Sequence, residues 1–136
     1  MTSKIADATG TYRFTSWDEE PYAHHDGAPK LTHCVVANLY DGDLAGEGRS
    51  QLVTFYRDEA SAGCVGFERV TGSLAGRPGS FVLRNEATFD GGVVRMTWSV
   101  VPGSGTGELS GLRGDGGFVF RMGEAGATYQ LHYHVD

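Results

Sequence analysis

Between Cys64 and Phe118 the chain alternates with a period of two in three successive runs. In the first, Cys64, Gly66, Glu68, Val70, Gly72 and Leu74 share one face, and Val65, Phe67, Arg69 and Thr71 share the other. In the second, Phe81, Leu83, Asn85, Ala87 and Phe89 oppose Val82, Arg84, Glu86 and Thr88. In the third, Val94, Met96, Trp98 and Val100 oppose Val93, Arg95, Thr97 and Ser99. Turn-forming stretches, Ala75-Gly76-Arg77-Pro78-Gly79, Asp90-Gly91-Gly92 and Pro102-Gly103-Ser104-Gly105, close each run. Period two punctuated by turns predicts an antiparallel meander with one covered face.

The pattern continues on both sides. Residues 9–17 read as a first strand, with Tyr12 and Phe14 on one face and Thr11, Arg13 and Thr15 on the other. In residues 31–40, Cys34, Val36, Asn38 and Tyr40 alternate with His33, Val35, Ala37 and Leu39, and both faces are apolar enough to leave the orientation open. After Asp41-Gly42-Asp43 a third strand carries Leu44, Gly46, Gly48, Ser50, Leu52 and Thr54 on one side. A seventh strand is predicted near residues 117–122. The last, over 128–135, sets Tyr129, Leu131, Tyr133 and Val135 against Thr128, Gln130, His132 and His134. Residues 1–8 read as a loose leader, and residues 18–30 as a polar loop, long for a hairpin and suited to a lid. About eight strands make a closed, antiparallel up-and-down barrel, whose closure removes exposed sheet edges. The chain of 136 residues is read as one all-β domain.

Composition sharpens this reading. Gly accounts for 21 residues with no three-residue period, which fits a turn-rich β protein rather than a collagen-like one. A net charge of -6 without a Lys/Arg cluster disfavours nucleic acid or an anionic membrane as partner. No stretch is apolar enough for a membrane helix, and the opening MTSKIADATG lacks the apolar region of a signal peptide. Cys34 and Cys64 do not make a disulfide framework, so a reducing cytoplasm is the expected setting.

The covered face holds one carboxylate, Glu68. Burial disfavours a charged carboxylate and moves its pKa toward the range useful in proton transfer, making Glu68 the catalytic candidate. The structural alternative is an ion pair with Arg84 or Arg113 that pins the barrel. Gly46, Gly48, Ser50, Gly66, Gly72 and Ala87 are too small to fill a barrel; they mark bends in coiled strands or leave room for a ligand. Such a pocket would be lined by Tyr12, Asn38, Asn85, Met96 and Trp98, with Trp17 at its mouth. The asparagines would orient a carbonyl or a water there, or else satisfy backbone groups at a bulge.

Other chemistry is poorly supported. His132 and His134 point the same way, and with His33 across a barrel seam and Asp136 they would supply zinc or nickel ligands. They lie opposite the Tyr129/Leu131/Tyr133/Val135 stripe, however, so they face outward and no metal is expected. His24 and His25 sit in the polar loop, better placed to reach the mouth and to titrate near neutral pH. The two cysteines have apolar neighbours and read as inert thiols, and no G-x-S-x-G is present. Residues 103–107 lack the Lys-Ser/Thr and the following helix of a phosphate loop, and no cofactor is expected.

Four segments carry a resemblance: TSWDEEPY (15–22), GDLAGEG (42–48), VGFERVTGSLAGRPGSFVL (65–83) and TWSVVPGSGTGELSGLRGDGGF (97–118). Together they resemble a bacterial family known as domain of unknown function 3224. The resemblance implies a closed antiparallel barrel of the allene oxide cyclase type. The stretch Ser104-Gly105-Thr106-Gly107-Glu108-Leu109-Ser110-Gly111-Leu112-Arg113-Gly114 is similar, more distantly, to the G-[ST]-G-x-[FL]-x-G-x-x-G pattern of allene oxide cyclases and dirigent proteins. That likeness implies an apolar cavity that steers a reactive small molecule without a cofactor. The functional expectation is a barrel binding a small apolar molecule and catalysing its cyclisation or isomerisation, with Glu68 as acid, base or charge stabiliser. The rivals are a non-catalytic carrier or sequestering protein and a solidly filled structural barrel. A homo-oligomer is compatible with each.

Overall fold

The computed structural model describes residues 5–136. Eight strands, β1 (Ala6–Pro21), β2 (Leu31–Gly42), β3 (Leu44–Asp58), β4 (Ser61–Leu74), β5 (Arg77–Asp90), β6 (Val93–Val100), β7 (Leu112–Arg121) and β8 (Ala127–Val135), follow one another around a closed barrel. Each pairs antiparallel with its sequence neighbours, and β1 pairs with β8 to close the ring. Among the described residues a single 3-10 turn, Gly107–Leu109, interrupts the β structure. Among the described residues no helix is long and apolar enough to cross a membrane.

The period-two faces settle as expected. Cys34, Val36, Asn38 and Tyr40 point inward on β2, beside Leu52, Ser50, Gly48 and Gly46 on β3. Val35 stays outside and 42% exposed, an apolar outer position of the kind that left parity undecided for this strand. β1 is longer than expected. It starts at Ala6 because Ala6–Tyr12 pairs with β8, and it runs to Pro21 because Trp17–Pro21 pairs with β2. The expected leader therefore loses Ala6 to Ala8 to the strand, its first four residues lying outside the described ones, and the polar loop shrinks to residues 22–30.

A β-bulge at Thr15 resets the alternation of β1, where the pairing jumps from Phe14–Asn38 to Ser16–Ala37. After the bulge Trp17 lies opposite Val36 and Glu19 opposite Cys34, both inward positions. Unbroken alternation from Tyr12 and Phe14 would have put these two side chains outside.

The two ends of the barrel differ. Residues 101–111 fold across one end, where Leu109 (1% exposed) packs with Leu44, Leu74, Phe81 and Leu112. Thr106 and Ser104 stitch this plug to β5: the Ser80 and Val82 amides donate to Thr106 Oγ1 and Ser104 Oγ at 3.0 Å. Above the plug, Tyr12, Tyr40, Trp98, Phe118 and Tyr129 stack edge and face into an aromatic layer. Some inward glycines answer to backbone crowding. A Cβ on Gly66 or Gly72 would lie 1.9 or 2.1 Å from a carbonyl oxygen of β3. At these two positions the close approach of the neighbouring strand accounts for the glycine.

Candidate ligand cavity

At the end opposite the plug the barrel encloses a cavity of about 380 Å³, within the range of small-molecule sites. Its walls are mainly apolar, formed by Phe14, Val36, Leu52, Phe89, Met96 and Phe120. Rim residues Trp17 and Met122 are 46% and 63% exposed, whereas Glu68 on the floor is 1% exposed.

Glu68 reaches the floor because β4 alternates without interruption from Cys64 to Leu74. Its Oε2 accepts hydrogen bonds from Tyr40 Oη at 2.6 Å and Asn38 Nδ2 at 2.8 Å, and its Oε1 accepts from Asn85 Nδ2 at 3.2 Å. Tyr12 Oη donates in turn to Asn38 Oδ1 at 2.8 Å. Room for the carboxyl comes from Gly48, where a Cβ would stand 2.0 Å from Oε2. At this position, then, smallness serves the site rather than a bend.

Among the described residues no cation pairs with Glu68. Arg84 pairs with Glu86 at 3.6 Å and Arg113 with Asp136 at 2.9 Å, all four groups being more than half exposed on the outer surface. This removes the structural ion pair considered from sequence. Burial pushes the Glu68 pKa above the ordinary carboxylate value, and the hydrogen bonds from Tyr40, Asn38 and Asn85 offset only part of the push. The group is thereby biased toward its neutral, proton-bearing form.

A second carboxylate, Glu19, lines the same cavity near the rim. Burial pushes its pKa up, but hydrogen bonds from Thr32, Tyr56 and Trp17 and the charge of Lys30 outweigh that and hold it below the ordinary value. Thr32 Oγ1 donates at 2.6 Å and Trp17 Nε1 at 3.1 Å, and Tyr56 Oη makes a further short contact. Lys30 Nζ stands 4.6 Å from the centre of the Tyr56 ring. Sequence reasoning missed Glu19 by assigning it to the polar loop. The available signal was its position two residues beyond Trp17, on the same side of the strand once β1 is extended. One cavity thus holds two carboxylates whose surroundings drive their pKa values apart.

Tyr12, Trp17, Asn38, Glu68, Asn85 and Met96 all line the cavity. Trp98 does not. Its indole packs into the aromatic layer, with ring centroids 5.6 Å from Phe118, 6.0 Å from Tyr40 and 6.1 Å from Tyr129. It supports the site from behind and offers no wall to a ligand. Cys64 lines the cavity as a thiol, its pKa pushed up to about 11 chiefly by burial.

The histidines do not converge. β1 separates β2 from β8, and His33 lies opposite Glu20 whereas His132 lies opposite Asp7, near the other end of β1. His33 bonds Gln51 at 3.1 Å, His134 pairs with Asp136 at 3.2 Å, and His132 pairs with Asp7. Among the described residues no three His, Cys, Asp or Glu side chains gather as a metal site would need. His24 pairs with Asp26 in the exposed loop, and neither it nor His25 lines the cavity.

A larger depression of about 950 Å³ lies on the outer side of β1, β6, β7 and β8, beside Arg13, Arg95 and Gln130. It is open to solvent, its lining is mostly outward-facing side chains, and neither Glu68 nor Glu19 borders it. The enclosed cavity is therefore the better site.

Comparison with known proteins agrees with the architecture. The family model described as "Protein of unknown function (DUF3224)" matches residues 8–133. The chain is similar to a protein of unknown function from the DUF3224 family of Shewanella oneidensis MR-1, known from a 1.84 Å crystal structure. The two are 28% identical over 98% of each chain, with a TM-score of 0.79. No curated protein matches the chain. The stretch from Ser104 to Gly114 that suggested allene oxide cyclases forms much of the plug and the start of β7, and contributes no side chain to the cavity. With matched sequence spanning nearly the whole barrel, the chain belongs to the DUF3224 family of proteins of unknown function.

Proposed function

We propose that the protein binds a small, largely apolar molecule in the open end of the barrel and isomerises or cyclises it, with Glu68 as the proton-transfer group. The observation that carries this reading is Glu68 itself: an enclosed carboxyl, unpaired with any cation among the described residues and biased toward its neutral form, on the floor of an apolar cavity. Such an acid gives its proton to one substrate atom and, as carboxylate, takes a proton back from another. Atoms balance and the acid is regenerated within one turnover. Positioned proton transfer of this kind contributes roughly 10²–10⁴-fold, and confinement of a flexible substrate adds to it.

A second reading, a carrier without chemistry, is favoured by one specific observation. The Glu68 carboxyl already receives three hydrogen bonds from Tyr40, Asn38 and Asn85. The test begins with the neutral fluorophore N-phenyl-1-naphthylamine, expected to bind one per barrel and to be displaced by ligand candidates. Compounds that displace it are then followed for conversion. Under the catalytic reading Glu68→Gln keeps probe affinity and lowers kcat by roughly 10²-fold or more. Displacement without conversion by the wild-type protein leaves the carrier reading, and failure of the probe to bind removes both.

A further inference from the structure

Asn85 stands beside Glu68 on the cavity floor and is 1% exposed. Its Nδ2 donates to Glu68 Oε1, while its Oδ1 is fully enclosed and has no hydrogen-bond partner. Burying an acceptor without a donor is costly, and the great majority of buried polar atoms are paired. Asn38, the other amide of the site, is fully engaged by contrast: its Oδ1 accepts from Tyr12 and its Nδ2 donates to Glu68. The unused acceptor is therefore a local property of Asn85.

Glu68 supplies the matching donor. Oε2 already accepts from both Tyr40 and Asn38, whereas Oε1 accepts from Asn85 alone. When the carboxyl carries a proton, Oε1 is the oxygen with room for it. The floor then offers an O–H donor next to an unfilled carbonyl acceptor, at the end of a cavity whose other walls are mainly apolar.

We infer that the ligand carries a neutral hydroxyl, as an apolar alcohol or phenol does, whose hydrogen is accepted by Asn85 Oδ1 and whose oxygen accepts from Glu68. One oxygen atom satisfies both groups. A carboxylate in the same place has no hydrogen for Asn85, and any anion there would meet Glu19 and a chain of net charge -6. This inference rests on the binding reading above and narrows it to a ligand class.

The test uses the wild-type protein first. Naphthalene, 2-naphthol and 2-naphthoate are compared at pH 7 by displacement of N-phenyl-1-naphthylamine. The three share one ring system and differ at a single substituent. 2-Naphthol is expected to bind about 10-fold or more tightly than naphthalene, the gain of filling a buried hydrogen-bonding pair, and 2-naphthoate more weakly than 2-naphthol. Asn85→Leu, of similar size, should abolish the advantage of 2-naphthol over naphthalene, with folding checked by circular dichroism. If naphthalene and 2-naphthol bind the wild type equally, the hydroxyl assignment is wrong and the binding reading stands. That result is expected if a water shared with the enclosed Trp98 Nε1, which also lacks a partner, already serves Asn85. If none of the probes binds, the binding reading falls and this inference with it.

Discussion

Gly48 and Glu68 sit on neighbouring strands, and each accounts for the other. A Cβ at position 48 would meet Oε2 of Glu68 at 2.0 Å and the Tyr40 ring at 3.0 Å, while Asn38 and Tyr40 hold that oxygen in place. The carboxyl could swing toward the cavity only by giving up those bonds. Gly48→Ala is therefore expected to destabilise the fold by about 1–3 kcal/mol in urea titration, the usual cost of overpacking. In a Glu68→Ala background the same change should cost markedly less, because the closest clash, with the Glu68 carboxyl, is gone. Strict additivity in that double-mutant cycle would show that Gly48 does not serve the carboxyl. Residues of this kind were partly legible. Glu68 stood out as the lone carboxylate on a regular alternating face, and Asn38, Asn85, Met96 and Tyr12 followed by the same parity. Parity assigns a face but not a depth, so it could not separate Met96, on the cavity wall, from Trp98, turned into the aromatic layer.

The element that shapes the mouth is the bulged β1. One extra residue at Thr15 turns Trp17 and Glu19 inward, and the strand then holds them against β2 as far as Pro21. Nothing in Phe14-Thr15-Ser16-Trp17 marks the bulge, because it arises from the register that β1 adopts against its neighbour. That is why Trp17 was placed at the mouth only from its position at a strand end, and Glu19 was assigned to the polar loop. Deleting Thr15 should remove the bulge yet leave Trp17 and Glu19 facing inward, because Ser16 then follows Phe14 in plain alternation opposite Ala37. The barrel should survive, with an unchanged β-type circular dichroism spectrum, because the pairing of Ala6–Tyr12 with β8 lies before the deletion. The deletion variant should therefore keep its affinity for N-phenyl-1-naphthylamine, whereas Trp17→Ala, which removes the wall itself, should bind roughly tenfold more weakly. Equal affinity in Trp17→Ala and the wild type would mean that Trp17 forms no part of the wall. The strands themselves were readable because turn-rich sequence and inner-face periodicity agree along β2 to β6. The plug was legible only as a Gly-rich loop, since its role depends on Leu109 meeting residues far away in sequence.

At the scale of the whole molecule, one closed end and one open end leave two carboxylates in unlike surroundings, and stability should depend on pH through both. Glu68 has a folded-state pKa above the 4.5 of an ordinary glutamate, and Glu19 has one below it. Below pH 4.5 the Glu68 carboxyl is neutral in folded and unfolded chains alike, and its burial carries no charge penalty. As pH rises past that value the unfolded chain ionises first, so stability declines until the folded-state pKa is passed and is level thereafter. Glu19 acts with the opposite sign. Its hydrogen bonds from Thr32, Tyr56 and Trp17 favour the carboxylate, so its contribution is fully present above pH 4.5 and is lost as pH falls through its folded-state pKa. The two substitutions should therefore separate the two limbs of a melting-temperature profile recorded from pH 3 to 8. Glu68→Gln cannot ionise, so the melting temperature of the variant minus that of the wild type should climb as pH rises from about 4.5. Glu19→Gln should melt below the wild type at neutral pH, with the gap closing toward pH 3. A Glu68→Gln difference that stays flat across the range would mean that Glu68 ionises as readily in the folded barrel as in the unfolded chain. The enclosed carboxyl would then bring no neutral proton to a ligand at physiological pH, and the carrier reading would be left.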